Sequence, residues 1–381
     1  MKVGIVAGEA SGDQLGAALI AALRVRAPSV QCFGVAGPKM VAAGCEPWAS
    51  SDDLAVMGLT EVLRHLPHLV RLRRSLIRRF AAKQPDIFVG IDAPEFNLGL
   101  AKRLKNKGLR TVQYVSPQVW AWRQGRVEKI GQACDLVLCL LPFETDFYEE
   151  HGVKAVFVGH PLADQIPLDV DRAAARRALG IDESAQVTAL LPGSRLGEVK
   201  RLGADFIAAA TWMAQRRPAM QFIAPMAAPR VREVFEEQLA ALQAAPRVRL
   251  IDGQAQAVLA AADGVLVASG TATLETLLSK RPMVVAYKLG AATAFILRKL
   301  GLVKVRYFSQ PNLLLGRCRV PEFFQETVNG EALGATLLRE MEDRPGMVEL
   351  QKEFRKVHES LRVGGAERAA AAVLECAGLK P

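Results

Sequence analysis

The sequence predicts an α/β protein made of two doubly wound parallel-sheet halves and a helical tail. Three observations lead there. Short β-branched runs alternate with longer amphipathic stretches almost from end to end, which is the rhythm of βαβ units. The series is interrupted once, at His160–Asp171, and then starts again. The chain is also 381 residues long, whereas one core usually supports about 150–200.

In the first half, strands are expected at Val3–Ala7, Cys32–Ala36, Asp86–Asp92, Thr111–Ser116, Leu136–Leu141 and Ala155–Gly159. Pro161, Pro167 and the acids Asp164, Asp169 and Asp171 then break the pattern. A second series follows at Val187–Leu191, Met220–Ala224, Val248–Ile251, Gly264–Ala268 and Met283–Tyr287. After Asn329 only helical periodicity remains, in Glu331–Glu342, Met347–Leu361 and Ala366–Ala377. The expected domains are therefore 1–165 and 172–330, with the helices of 331–381 packing back across the linker.

Half of the residues are hydrophobic and 23% are charged, which excludes global disorder. The net charge of +10 favours anionic partners, whether phosphates, nucleic acid or an acidic membrane face. Six scattered cysteines, several within apolar runs, read as reduced thiols and hence as a cytoplasmic protein. The first apolar run stops at Glu9, so no signal peptide is expected, and no run approaches the roughly 18 apolar residues of a spanning helix.

The candidate chemistry lies in loops that close predicted strands. Gly8-Glu9-Ala10-Ser11-Gly12-Asp13 opens a helix, but it lacks dinucleotide spacing and puts Glu9 and Asp13 where a pyrophosphate would sit. Carboxylates there suit a sugar hydroxyl, although Ser11 or Asp13 acting as a helix cap accounts for part of the string. Asp92, in Gly90-Ile91-Asp92-Ala93-Pro94, points to a cleft at a strand end. It is either a general base or a cap for the helix starting near Pro94. Ser116, Gln118, Trp120, Trp122 and Arg123 follow the next strand. They read as an aromatic and cationic wall for a sugar, acyl chain or phosphate, with buried core tryptophans as the alternative.

In the second half, Ser194 and Arg195 of Leu191-Pro192-Gly193-Ser194-Arg195 place a guanidinium on a turn suited to a diphosphate. Ser269, Gly270, Thr271, Ala272 and Thr273 form a small-residue loop entering a helix, where backbone N–H groups and the helix dipole favour phosphate. Glu275, one turn on, suits a ribose diol, and Gln310 and Asn312 offer amides to the same cleft or form a turn. Five histidines without ligand spacing and the lack of a paired CxxC motif argue against metal. Asp169-Val170-Asp171 falls in the linker rather than after a central strand. No metal and no cofactor are expected.

Val62–Lys83 carries Arg64, Arg71, Arg73, Arg74, Arg78, Arg79 and Lys83 and no acid. With Met57, Leu59 and Leu69 it reads as a basic amphipathic helix able to lie on an anionic bilayer, the alternative being an ordinary helix with a solvated arginine face. Nucleic acid is not expected, since no single-strand module or aromatic-basic repeat is present.

Taken in order from Gly8 to Leu314, the strings GEASGD, GIDAPEFN, YVSPQVWAWR, LLPGSR, ASGTATLE and QPNLL resemble the signature set of bacterial lipid-A-disaccharide synthases. The resemblance implies a GT-B glycosyltransferase whose two Rossmann-like domains face a cleft. It joins UDP-2,3-diacylglucosamine to 2,3-diacylglucosamine 1-phosphate at the cytoplasmic face of the inner membrane, giving a β-1′,6-linked disaccharide 1-phosphate and UDP. It further implies that Asp92 is the essential acid, Arg195 the donor-diphosphate arginine and Asn312 a donor-site amide. One position departs: Glu95-Phe96 stands where other members can carry Asp-Phe, which keeps the charge.

On this reading the reaction inverts in a single displacement, with Asp92 as base and Glu9 as its substitute or helper. Arg195 and the Ser269–Thr273 loop neutralise the departing UDP. The partners are the two acylated sugars and the membrane surface, and the oligomeric state is left open, a homodimer included. The rival readings are a UDP-sugar 2-epimerase, a transferase for another lipid-linked sugar, or a non-catalytic membrane-bound sensor of sugar nucleotides.

Overall fold

The computed structural model describes residues 1–54, 59–122, 124–242, 245–290 and 306–379, with backbone alone at 59–65, 121, 122 and 124. Two compact units result, Met1–Asp164 together with Leu361–Pro381, and Gln165–Ser360. The predicted tail is thereby divided. Helices Gly330–Glu342 and Arg344–Leu361 lie essentially within the second unit, and helix Gly365–Cys376 belongs to the first.

The first unit has seven parallel strands: β1 (Lys2–Ala7), β2 (Gln31–Ala36), β3 (Cys45–Ser50), β4 (Ile87–Ile91), β5 (Arg110–Tyr114), β6 (Leu136–Cys139) and β7 (Ala155–Phe157). Their order is β3-β2-β1-β4-β5-β6-β7. The second unit has β8 (Val187–Leu191), β9 (Gln221–Met226), β10 (Val248–Asp252), β11 (Gly264–Ala268), β12 (Met283–Tyr287) and β13 (Glu322–Phe324), in the order β10-β9-β8-β11-β12-β13. All pairings within both sheets are parallel.

Central strands β4, β8 and β11 are buried along their whole length, as expected when helices cover both faces of a parallel sheet. On one face of the first sheet, Ile5, Val89 and Val112 pack with Leu19 and Leu23 of helix Glu9–Arg26 and with Ala369 and Val373 of the last helix. On the other face, Val6, Val35 and Val137 meet Phe80, Leu100 and Ile130. In the second unit, Leu266 and Ala286 pack against Phe206, Met213, Leu333 and Leu337.

Two strands were not anticipated, β3 and β13. Both are sheet edges, and both are only partly buried. Neither has the apolar run of a central strand, and β3 contains Pro47, which an edge tolerates. The thiols of Cys32, Cys45, Cys134, Cys139 and Cys376 are buried and free, while Cys318 is exposed. Among the described residues no helix is long and apolar enough to cross a membrane.

Candidate functional site

In each sheet the winding reverses once, between β1 and β4 and between β8 and β11. Loops leaving such a pair at its carboxyl end diverge to opposite faces and leave a crevice, where open α/β sheets hold ligands. The loops following these four strands are the ones singled out by sequence, Gly8-Glu9, Asp92-Ala93, Gly193-Ser194-Arg195 and Ser269-Gly270-Thr271.

At the first switch the backbone is strained. Glu9 (φ 58°), Asp92 (φ 51°), Ala93 (φ 40°) and, after neighbouring β5, Val115 (φ 76°) are all left-handed without being glycine. Each such residue costs on the order of 1–3 kcal/mol, and the surrounding structure must hold it there. Gly8 is needed because a Cβ on it would lie 2.8 Å from the Ala93 Cβ. The fully buried Asn97 donates through Nδ2 to the carbonyls of Val6 (3.2 Å), Ile91 (3.3 Å) and Asp92 (2.9 Å). Gln113 Nε2 also donates to the Asp92 carbonyl, at 3.1 Å, and Asp92 N donates to Tyr114 O at 2.9 Å.

The Asp92 main chain is thus fixed from three sides by groups that do not bond its carboxylate. Burial pushes the Asp92 carboxyl above the ordinary aspartate range, opposed by a hydrogen bond from the Ala93 backbone. Helix Pro94–Lys105 has Ala93 as its N-cap residue, and the Asp92 carboxylate accepts the Ala93 N–H just before it, so both the base and the capping alternatives for Asp92 stand. Glu9 is half-buried and Ser11 is exposed.

Asp13 does not face this crevice. It is 3% exposed and accepts the backbone N–H groups of Lys39 and Met40, each at 2.9 Å, which caps helix Pro38–Ala42. Ser116 is likewise turned inward, its hydroxyl 3.1 Å from the Tyr148 hydroxyl. Trp120 is half-buried, donates Nε1–H to Glu144 at 3.2 Å and meets the Phe143 ring edge-on, whereas Gln118 is exposed. The side chains of Trp122 and Arg123 lie outside the described residues.

The basic helix Leu59–Lys83 has two faces. Leu76 and Phe80 are buried, and Leu69 packs partly against the same core rather than facing outward. Arg73 also turns in, its guanidinium 5.2 Å from the centre of the Phe96 ring, and Arg79 lies 4.2 Å over Trp48. Arg71, Arg74 and Arg78 are exposed, and Leu66 is 45% exposed. Met57 and the Leu59 side chain lie outside the described residues.

At the second switch, Arg195 ends the turn after β8 and precedes helix Leu196–Arg216, with its side chain 66% exposed. Glu198 organises the turn by accepting the N–H groups of Ser194 (3.1 Å) and Arg195 (3.3 Å). Gly193, at φ 133°, leaves room for it, since a Cβ there would come within 2.4 Å of the Glu198 Cβ. Gly270 and Thr271 are exposed and Ala272 is half-buried at the start of helix Thr271–Leu278, whose N-terminus carries no side-chain cap.

Ser269 and Thr273 serve the loop itself: Ser269 Oγ donates to Phe308 O at 3.1 Å, and Thr273 Oγ1 to Gly270 O at 2.8 Å. Glu275 is pushed up by burial. The Gln310 Oε1 is buried with no partner among the described residues, and its N–H reaches Thr273 Oγ1 at 3.4 Å. Asn312 departs from expectation. Its Nδ2 donates to Val320 O and Glu322 Oε1, both at 2.8 Å, and its Oδ1 accepts from Arg319 N (2.7 Å) and Val320 N (2.9 Å). An amide with two donors and two acceptor sites so filled has nothing left for a ligand, so Asn312 shapes the loop. Among the described residues no group of three or more His, Cys, Asp or Glu is placed to hold a metal.

Gln113, Glu144 and Glu198 are not singled out by the sequence, and Asn97 enters there only as the last residue of GIDAPEFN, with no role assigned. Glu198 lies three residues after Arg195, but arginine is not a capping residue, so the sequence shows no capping box there.

A family model described as lipid-A-disaccharide synthetase matches residues 3–376. The chain is 50% identical to the lipid-A-disaccharide synthase of Alkalilimnicola ehrlichii, covering 99% of each chain. It is 51% identical to that of Pseudomonas aeruginosa, covering 98% of each. Among solved structures it resembles UDP-GlcNAc 2-epimerase from Neisseria meningitidis bound to UDP-GlcNAc (TM-score 0.67, 12% identity, 98% and 100% covered). It also resembles the glycotransferase of kitacinnamycin (TM-score 0.63, 19% identity, 98% of each covered). At such identities these two likenesses establish a shared fold alone.

Proposed function

The chain belongs to the lipid-A-disaccharide synthase family, a family of glycosyltransferases, and from that premise we propose how its two units divide the reaction. The donor is UDP-2,3-diacylglucosamine and the acceptor 2,3-diacylglucosamine 1-phosphate. The acceptor 6-hydroxyl oxygen attacks the donor anomeric carbon and its proton passes to the Asp92 carboxylate. The bond from that carbon to UDP breaks with its electron pair going to the β-phosphate oxygen, and configuration inverts in one displacement through an oxocarbenium-like state. Two observations, one in each unit, carry this reading: a half-buried carboxylate on a strained turn at the switch point of the first, and an exposed arginine on a helix-entry turn at the switch point of the second.

In this scheme Arg195 and the free N–H groups at the start of helix Thr271–Leu278 neutralise the leaving diphosphate, a task that other transferases give to a divalent ion. Glu275 and the unpartnered Gln310 Oε1 are suited to the ribose and uracil. Purified protein given both acylated sugars should release UDP and disaccharide 1-phosphate in equal amounts, at an initial rate that excess EDTA leaves unchanged. A rate that vanishes with EDTA and returns with Mg²⁺ overturns the metal-free assignment. A UDP-sugar epimer formed without disaccharide would overturn the transferase reading in favour of the epimerase.

Both substrates carry acyl chains, and we assign the first unit to a peripheral position on the cytoplasmic face of the inner membrane, where the outward arginines of helix Leu59–Lys83 meet anionic headgroups. Each basic residue near such a surface contributes about 1 kcal/mol. Changing Arg71, Arg74 and Arg78 to Ser should weaken sedimentation with anionic vesicles roughly 100-fold at low salt, and much less at high salt. Leu66→Ser should weaken it at either salt concentration, since screening does not act on apolar burial. Equal sedimentation of the folded variants and the parent would return this helix to an ordinary solvated face.

A further inference from the structure

The carboxylate of Glu144, 4% exposed, sits at the start of helix Phe143–Glu149, just after β6. Part of its work is local. Oε2 accepts the Leu141 N–H at 3.1 Å, and the Leu140 N–H adds a second backbone bond, as in a helix cap. A cap alone would engage only its own helix. Here Oε1 accepts the indole N–H of Trp120 at 3.2 Å, and the Ser116 hydroxyl also bonds the carboxylate, both from the loop that follows β5. Ser116 in turn meets the hydroxyl of Tyr148, which is wholly buried.

This loop begins with the left-handed Val115, and the residue before it, Tyr114, accepts the Asp92 N–H. Held only by its own conformational preference, Val115 would relax, because a β-branched residue at positive φ is disfavoured. Burial holds the Glu144 carboxyl at about 7, so the site keeps an acid in an unfavourable environment instead of an amide or an apolar group.

We propose that Glu144 is a positioning residue for the acceptor sugar: acting through Trp120 and Ser116, it holds the loop beside Asp92 in the shape that receives the acceptor. The proposal rests on the transferase reading above. It concerns the acceptor side alone, because every group in the network belongs to the first unit.

The test is steady-state kinetics of Glu144→Ala, Glu144→Gln, Trp120→Phe and the Glu144→Ala/Trp120→Phe double variant, with hydrogen exchange of the amides from Val115 to Trp120. Trp120→Phe removes the indole donor while leaving the ring and the bonds from Leu140 and Leu141 in place, so it remains informative if Glu144→Ala does not fold. Both single variants should raise the acceptor KM roughly tenfold, with donor KM and UDP affinity unchanged, and should speed exchange across the loop. Glu144→Gln, which keeps one acceptor oxygen, should recover part of the loss. The double variant should be no worse than Glu144→Ala, since both changes break one interaction.

A lower melting temperature with parental acceptor KM would reduce Glu144 to a helix cap and overturn the proposal, as would multiplicative losses in the double variant. Parent protein that forms no disaccharide overturns the transferase reading instead, and the exchange data still report whether Glu144 orders the loop.

Discussion

Asp92→Asn should lower kcat roughly 10³-fold and leave UDP affinity close to the parent value, the size expected for losing a well-placed general base. The substitution removes basicity and almost no volume. The main chain at this position is held by Asn97, Gln113 and the Tyr114 carbonyl, none of which bonds to the carboxylate, so the left-handed turn should survive. Burial raises the Asp92 carboxyl, which makes the carboxylate a stronger base than a solvated aspartate.

The sign can be followed into two measurements. The acid limb of kcat/KM in the parent should lie above the usual aspartate range, activity falling as pH drops through it, and this limb should be missing from the residual activity of Asp92→Asn. For stability, a carboxyl whose pKa is raised on folding loses stability as pH rises through that pKa, because the folded state disfavours the charge. Asp92→Asn should therefore melt no lower than the parent at neutral pH. Calorimetry with UDP, thermal melts and pH profiles check these outcomes together. Collapse of UDP binding or a markedly lower melting temperature would make Asp92 structural.

Much of this arrangement is legible in the sequence because it depends on chain order. Apolar runs mark the central strands, their alternation with helices dictates parallel pairing, and residues just after a strand must emerge at its carboxyl end. Asp92, Arg195 and the Ser269–Thr273 loop were found by this logic. What a polar side chain then bonds to depends on distant segments. Asp13 meets the helix at Pro38 and Asn312 the chain at Arg319–Glu322, so both string members became structural. In helix Leu59–Lys83 the spacing implies one apolar and one basic face, yet Arg73 lies inward because its guanidinium can stack on Phe96 and fits beside Gly99, whose missing side chain leaves room for it. The strained turn at Val115 has no sequence signature, since valine ordinarily avoids that conformation. Only the hydrogen bonds around it explain why it is tolerated.

Arg195→Ala should cost about 10²-fold in turnover with little loss of stability, a combination that separates a ligand-binding arginine from a structural one. The side chain is largely exposed, and its contact with Glu198 is long, at 3.8 Å. An exposed pair of that kind contributes about 0–1 kcal/mol. The turn is held instead by Glu198 on the Ser194 and Arg195 backbone amides, which alanine retains. If the guanidinium grips the departing diphosphate, its removal takes away charge neutralisation where negative charge develops, worth ~3 kcal/mol in the transition state. Arg195→Lys should fall between alanine and parent, because it keeps the charge and loses the planar fork that can bond two phosphate oxygens at once. In steady-state assays with saturating acceptor, the expected order of kcat is parent, Lys, Ala, with melting temperatures nearly equal. Parental kinetics in a folded Arg195→Ala protein would remove this residue from the reaction and leave the helix N-terminus at Thr271 as the remaining anchor for the diphosphate.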